Sequence, residues 1–159
     1  MAPTESEADM TFYGKTTTPH DPRLDRLAAV AVRTGLGLQP GQELVMTAPL
    51  DAVPLARAIT REAYKAGASL VTLLYTDEEA ALARFEHAQP AAFDTAAGWL
   101  YEGMASAFRG GAARLAIAGD DPSLLAGQDA EKVARANRAR SKAYVPALEL
   151  IAGFATNWS

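Results

Sequence analysis

A chain of 159 residues has room for one ordinary domain with a sizeable core and not for two. With 49% apolar and 21% charged residues it is not a disordered polypeptide, and a net charge of -4 gives no global attraction to nucleic acid or to anionic lipid. The absence of cysteine excludes disulfides, thiolate metal sites and cysteine nucleophiles together, and it fits a reducing, cytoplasmic compartment.

Residues 1 to 20 hold Glu5, Glu7 and Asp9 and no long apolar run, so they read as a mobile tail and not as a signal or transit peptide. The first helix is expected at Asp21-Pro22, a capping aspartate before a proline that suits the first turn. Leu24, Leu27, Ala28 and Ala31 share one side of it, and it should end near Thr34 with Gly35 as a left-handed cap. After the turn residues Gln39 to Gln42, the unalternating run Leu44-Val45-Met46 predicts a strand covered on both faces. Asp51 is expected to cap a second helix with an apolar stripe through Leu55, Ala58, Ile59, Ala63 and Ala66, ended by Gly67. Ser69 to Tyr75 supplies a second strand, and the order from Glu43 to Tyr75 is that of a parallel βαβ unit.

Thr76-Asp77-Glu78-Glu79 has the spacing of a capping box with Thr76 as its cap, and a third helix follows to about His87. Phe93, Ala97, Leu100, Met104 and Phe108 keep one helical phase, weakened by Gly98 and Gly103. Arg114 to Ala118 then reads as a third strand ending in Gly119-Asp120-Asp121-Pro122. Asp129 opens a last helix that should run at least to Tyr144 and be kinked or ended by Pro146. No run approaches the roughly 20 apolar residues of a membrane span. The expected fold is therefore α/β, with a parallel sheet of at least three strands (Leu44 to Met46, Leu70 to Leu74, Leu115 to Ala118) and helices on both faces.

Chemistry-bearing residues are few. His20 reads as a linker residue, and His87, at the end of a helix, as a stabiliser of that end. Asp77, Glu78 and Glu79 do the ordinary work of a helix start; Asp120 and Asp121 are better placed for a ligand, because open α/β sheets bind outside the carboxyl ends of their strands. Gly35-Leu36-Gly37 follows a helix, and Thr47 to Asp51 lacks glycine and sets a carboxylate at a helix entrance, so a dinucleotide site is not expected. Arg135, Arg138, Arg140 and Lys142 form a basic stripe without interleaved aromatics, which reads as a solvated face or a contact to an acidic neighbour. No catalytic residue and no metal ligand is assigned, and substrate-binding residues are unknown.

The linear order says more than any single motif. Leu36 to Val45, Arg61 to Ala68, Phe85 to Ala88, Gly119 to Gly127 and Asn157-Trp158-Ser159 together resemble the amino-terminal domain of the thermophilic-type metalloaminopeptidases, the leucyl-aminopeptidase-like AmpS/AmpT/PepS family, over about Asp21 to Ser159. The resemblance implies a two-domain, dimeric, cytoplasmic exopeptidase that removes N-terminal residues from peptides with two divalent ions, zinc or cobalt. It implies that the ligands and the acid-base residues lie in a carboxyl-terminal domain, and that the present domain, amino-terminal and without a metal site, shapes the substrate cavity. The isolated chain is then expected to be inactive, with the missing catalytic domain, peptide substrates and a second copy as its partners, and neither nucleic acid nor membrane among them. The chain stops soon after Leu148-Glu149-Leu150-Ile151, as though cut, so Leu148, Leu150, Ile151, Phe154 and Trp158 are expected to expose apolar surface and to promote self-association. The alternative is a stand-alone α/β module that holds a small metabolite at the strand carboxyl ends, near Asp120.

Overall fold

Within Glu43–Pro49 (β1) the run Leu44-Val45-Met46 is apolar on both sides because both sides are covered. In the computed structural model, which describes residues 21–119 and 121–159, β1 is the central strand of a parallel sheet of order β2-β1-β3. β2 is Leu70–Thr76 and β3 is Ala113–Ala116, with Val45 in register with Thr72 on one side and with Arg114 on the other. The expected parallel α/β sheet is thus the observed one. The tail and His20 lie outside the described residues, as does Asp120.

Alternation along β1 divides the core. Leu44, Met46 and Ala48 meet α1 (Pro22–Ala29) and α2 (Val53–Lys65) in one buried cluster with Ala28, Val32, Ala56 and Ile59. Val45 faces the other way, against Met104 and Phe108 of α4 (Gly98–Arg109) and Ala147 and Ile151 of α5 (Ala130–Ala152). The alanines let the helices approach the sheet closely.

Several local expectations are corrected. The first helix continues past Ala29 as a wider π-type turn over Val30–Gly35, and the left-handed glycine is Gly37 (φ 61), not Gly35. Gly35 is small for another reason: a Cβ there would stand 3.1 Å from the Ser159 hydroxyl. Asp51 does not cap α2; it sits in a short 3-10 turn, Leu50–Ala52, and no side chain caps the helix that follows. Gly67 does end α2, at φ 96, where its N–H donates to the Tyr64 carbonyl. Thr76 belongs to β2, and the cap of α3 (Glu78–His87) is Asp77, whose carboxylate accepts from the amides of Glu79 and Ala80.

The expected helix through Phe93 and Phe108 is two elements. Pro90–Asp94 forms a 3-10 turn that buries Phe93 against Phe85, ring centroids 5.3 Å apart, and α4 begins only at Gly98. Gly98, as the first helical residue, therefore costs little. Pro146 neither ends nor bounds α5, which runs to Ala152. The proline is on the exposed side, so the carbonyl it orphans is on the solvated face, while Ala147 and Ile151 bury their side chains beyond it.

After α5 the chain returns to the sheet. The Arg114 N–H donates to the Asn157 carbonyl at 2.9 Å, and the Ser159 N–H donates to the Arg114 carbonyl at 3.0 Å, so Asn157 to Ser159 lie parallel to β3 on its far side from β1. Of the five apolar residues expected to be exposed near this end, Leu148, Phe154 and Trp158 are; Ile151 is buried and Leu150 packs against the α4–α5 cluster. The terminal segment docks on its own sheet.

Candidate functional site

Among the described residues, those singled out by sequence do not converge on one site, although Glu78 and the Asp121 loop meet. His87 stands at the end of α3, its Nε2 3.7 Å from Glu86 and its side chain 79% exposed. Glu78 reaches across to the loop after β3, where its Oε1 accepts from the Asp121 N–H at 2.7 Å. Asp121 in turn accepts from the Ser123 hydroxyl and amide at 2.7 and 2.8 Å, the hydroxyl first in holding its carboxyl below the usual range. The carboxyl-end loops are thus tied to one another. Glu78 is used as an acceptor across two loops and Asp121 as one inside its own turn.

The basic stripe of α5 is broken in the structure. Arg135 turns inward and forms a side-on pair with Asp94, Nε to Oδ1 at 2.9 Å, which holds Asp94 below the usual carboxylate range. Lys132 lies 5.5 Å from the centre of the Phe93 ring, and Arg84 5.8 Å from the same centre. Arg138, Arg140 and Lys142 remain exposed. One residue of the stripe, Arg135, with Lys132 outside it, therefore fastens α5 to the turn Pro90–Asp94.

Two arrangements lay outside the sequence reading. One is a groove of about 240 Å³ between α4 and the β1–β2 side of the sheet, lined by Glu43, Val45, Thr72, Leu74, Leu100, Gly103 and the rim residue Trp99, which is 76% exposed. It is an apolar frame with one carboxylate, suited to holding an apolar side chain and without a nucleophile-base pair. Trp99 and Gly103, four apart, were the legible signal: an aromatic above a missing side chain on one helix face. The other is a polar tie. Gln42 Nε2 donates to Asn157 Oδ1 at 2.6 Å and to the Gly111 carbonyl at 2.8 Å, and Asn157 Nδ2 donates to the Leu36 carbonyl at 2.9 Å. It joins Leu36 and Gln42 to Asn157, which lies 121 and 115 residues further along the chain.

A catalytic metal needs several ligands that converge and a position left open. Among the described residues no group of three or more histidine, aspartate or glutamate side chains does so, and the residues present do not fit a metal centre. No described helix is long and apolar enough to cross a membrane.

Fold and surface together define a parallel α/β domain with helices on both faces whose polar residues mainly brace loops. The profile of the family described as Thermophilic metalloprotease (M29) matches residues 20–159. Aminopeptidase T of Thermus thermophilus is 52% identical over 136 residues, which are 86% of this chain and 33% of that protein. Aminopeptidase AmpS of Bacillus subtilis is 31% identical over 137 residues, again 86% of this chain and 33% of the relative. The solved structure of wild-type AmpT from Thermus thermophilus superposes with a TM-score of 0.84 at 51% identity, covering 87% of this chain and 35% of that one. The chain belongs to the M29 family of thermophilic metalloproteases, and it spans about a third of the length of the relatives it matches.

Proposed function

We propose that this chain is the amino-terminal domain of a metal-dependent aminopeptidase, which removes N-terminal residues from peptides. The observation that carries the reading is the family match over residues 20–159, joined to the 52% identity with an aminopeptidase of which the matched stretch is 33%. In this reading two divalent ions, zinc or cobalt, and their ligands belong to a carboxyl-terminal domain, where the ions would supply Lewis-acid chemistry for peptide hydrolysis. The present domain packs beside that site, shapes the cavity that receives the peptide and carries no metal itself. The complete enzyme is a cytoplasmic homo-oligomer, and the 159-residue chain alone is inactive.

The test is a chimera in which this chain replaces the matching third of Thermus thermophilus Aminopeptidase T. The chimera should release leucine from leucyl peptides and lose this activity to a chelator, whereas the chain alone should neither turn over nor bind zinc or cobalt stoichiometrically in calorimetry. Turnover or tight metal binding by the chain alone would defeat the reading. A stand-alone metabolite-binding module is the rival, and the internal pairing of Glu78, Asp121 and Ser123 at the strand carboxyl ends speaks against it.

A further inference from the structure

We propose that the β2 edge of the sheet, with the groove beside it, receives an extended peptide: the peptide adds to β2 as a further strand and lays a long basic side chain, of the lysine type, along the groove to Glu43. This binding belongs to the chain itself and does not depend on the aminopeptidase reading. The two edges of the sheet differ. Along β3 the far side is taken by Asn157 to Ser159, which exchange backbone hydrogen bonds with Arg114. β2 has β1 on one side and, among the described residues, no strand on the other.

Open edge strands are ordinarily blunted by charge, by proline, by a bulge or by a covering helix. The seven residues of β2 carry no charge and no proline, and they pair with β1 step by step from Leu70 to Thr76 without a bulge. α2 covers the face that bears Val71 and Leu73. On the opposite face, that of Thr72 and Leu74, the groove of about 240 Å³ lies open between β2 and α4. Toward the two ends of the strand, Leu70 and Tyr75 are 50% and 39% exposed. Such an edge is a template for a further strand, in which main-chain hydrogen bonds hold the peptide and a side-chain pocket selects it.

The groove decides the chemistry of the occupant. It is smaller than the roughly 300 to 1,000 Å³ of small-molecule sites, so it takes one side chain and not a cofactor. Val45, Leu74, Leu100 and Met104 give it apolar walls, and Glu43 gives it a half-buried carboxylate. The Thr72 hydroxyl donates to Glu43 Oε1 at 3.5 Å, and no cation pairs with this glutamate among the described residues. Glu62, by contrast, is answered by both Arg33 and Lys65. A carboxylate framed by apolar walls calls for a cation on an aliphatic stem, and the exposed ring of Trp99 at the rim favours the same group. Neighbouring strands stand about 4.8 Å apart, so an added strand would lie about 10 Å from β1, a span that a lysine side chain covers and a valine does not. A second copy pairing through its own β2 brings no basic side chain to Glu43.

The test is calorimetry of the 159-residue chain with a short peptide of alternating threonine and valine, blocked at both ends and bearing one central lysine. The peptide should bind, and norleucine in place of the lysine, which keeps the stem and drops the charge, should weaken binding about tenfold. Glu43→Gln should erase that difference. Gly103→Leu should abolish binding by filling the groove; position 103 is helical and a Cβ there meets nothing within 4 Å, so the variant folds. Two further peptides carry N-methyl groups on alternate amides, one on the odd positions and one on the even. Successive amides of a strand point to opposite sides, so one set should destroy binding and the other preserve it. Absence of binding, equal affinity of the lysine and norleucine peptides, binding that survives Gly103→Leu, or indifference to both methylation patterns would overturn the proposal. So would two other results. Self-association that Gly103→Leu abolishes, without peptide binding by the parent chain, would give the groove to a second copy. Binding by the chain but not by the chimera with the rest of Aminopeptidase T would give it to that polypeptide.

Discussion

Asn157 shows how much one side chain can organise. Its carboxamide accepts from Gln42 and donates to the Leu36 carbonyl, so it holds the start of β1, the turn before it and the terminal segment in one arrangement. Removing a partly buried group that answers two others costs more than its own bonds, because the partners lose theirs. Asn157→Ala should therefore destabilise the chain by about 1 to 2 kcal/mol in urea unfolding, with Gln42→Ala not additive to it. A loss under a few tenths would mean that water replaces the amide at no cost. Residue scale also separates two capping assignments: Asp77→Ala should cost about 1 kcal/mol through α3, and Thr76→Ala markedly less, since Asp77 and not Thr76 accepts from the first-turn amides.

At the scale of elements, α5 carries an uncommon feature. A proline inside a helix costs roughly 3 kcal/mol in an unsupported host, yet α5 passes through Pro146 because Ala147 and Ile151 are buried against the sheet beyond it. Pro146→Ala should raise stability by about 1 to 3 kcal/mol, as the lost hydrogen bond returns on an exposed face. A destabilised variant would show that the helix needs the bend. Gly67 is the opposite case: its φ of 96 and a Cβ position 3.2 Å from Pro40 Cα leave no room for a side chain. Gly67→Ala should cost more than about 1 kcal/mol, read as a lower urea midpoint.

At the scale of the whole molecule, four carboxylates among the described residues lie below their ordinary range: Asp21, Asp94, Asp121 and Asp129. Asp21 is lowered to about 2, chiefly by side-chain and then backbone hydrogen bonding from Arg23; Asp94 is lowered by Arg135, Asp121 by Ser123 and Asp129 by the Lys132 amide. Each binds its proton more readily when unfolded, so each contributes stability above about pH 4 that is lost as pH falls through its folded value. The urea midpoint should be level above about pH 5 and decline toward pH 2, and Asp94→Asn should make the decline shallower. All four groups are solvated, so the decline should be gentle. The same scale governs association: Trp99, Phe154 and Trp158 are all substantially exposed, and sedimentation of the isolated chain should show self-association that rises with concentration. A strict monomer at high concentration would contradict this.

The parallel order of the three strands and the two-sided helical cover were legible in the sequence, because a run such as Leu44-Val45-Met46, bounded by turn residues and followed by a helix and a second such run, fits a strand buried on both faces. Asp21-Pro22, Gly67 and Asp129 marked helix ends for local reasons, and the structure keeps all three. What local chemistry did not reveal was wherever a distant surface outbid it. Phe93 leaves the helical phase of Phe108 to pack on Phe85; Asp77 takes the cap because Thr76 is drawn into the ladder with β1; Pro146 stays helical because Ile151 has a core to reach. The candidate sites divide in the same way. A stripe of four basic residues is visible in one dimension, but only packing shows that Arg135 is committed to Asp94. The enclosed Nε of Arg114 has no trace in the sequence, since it depends on a strand register that brings the terminal segment alongside β3.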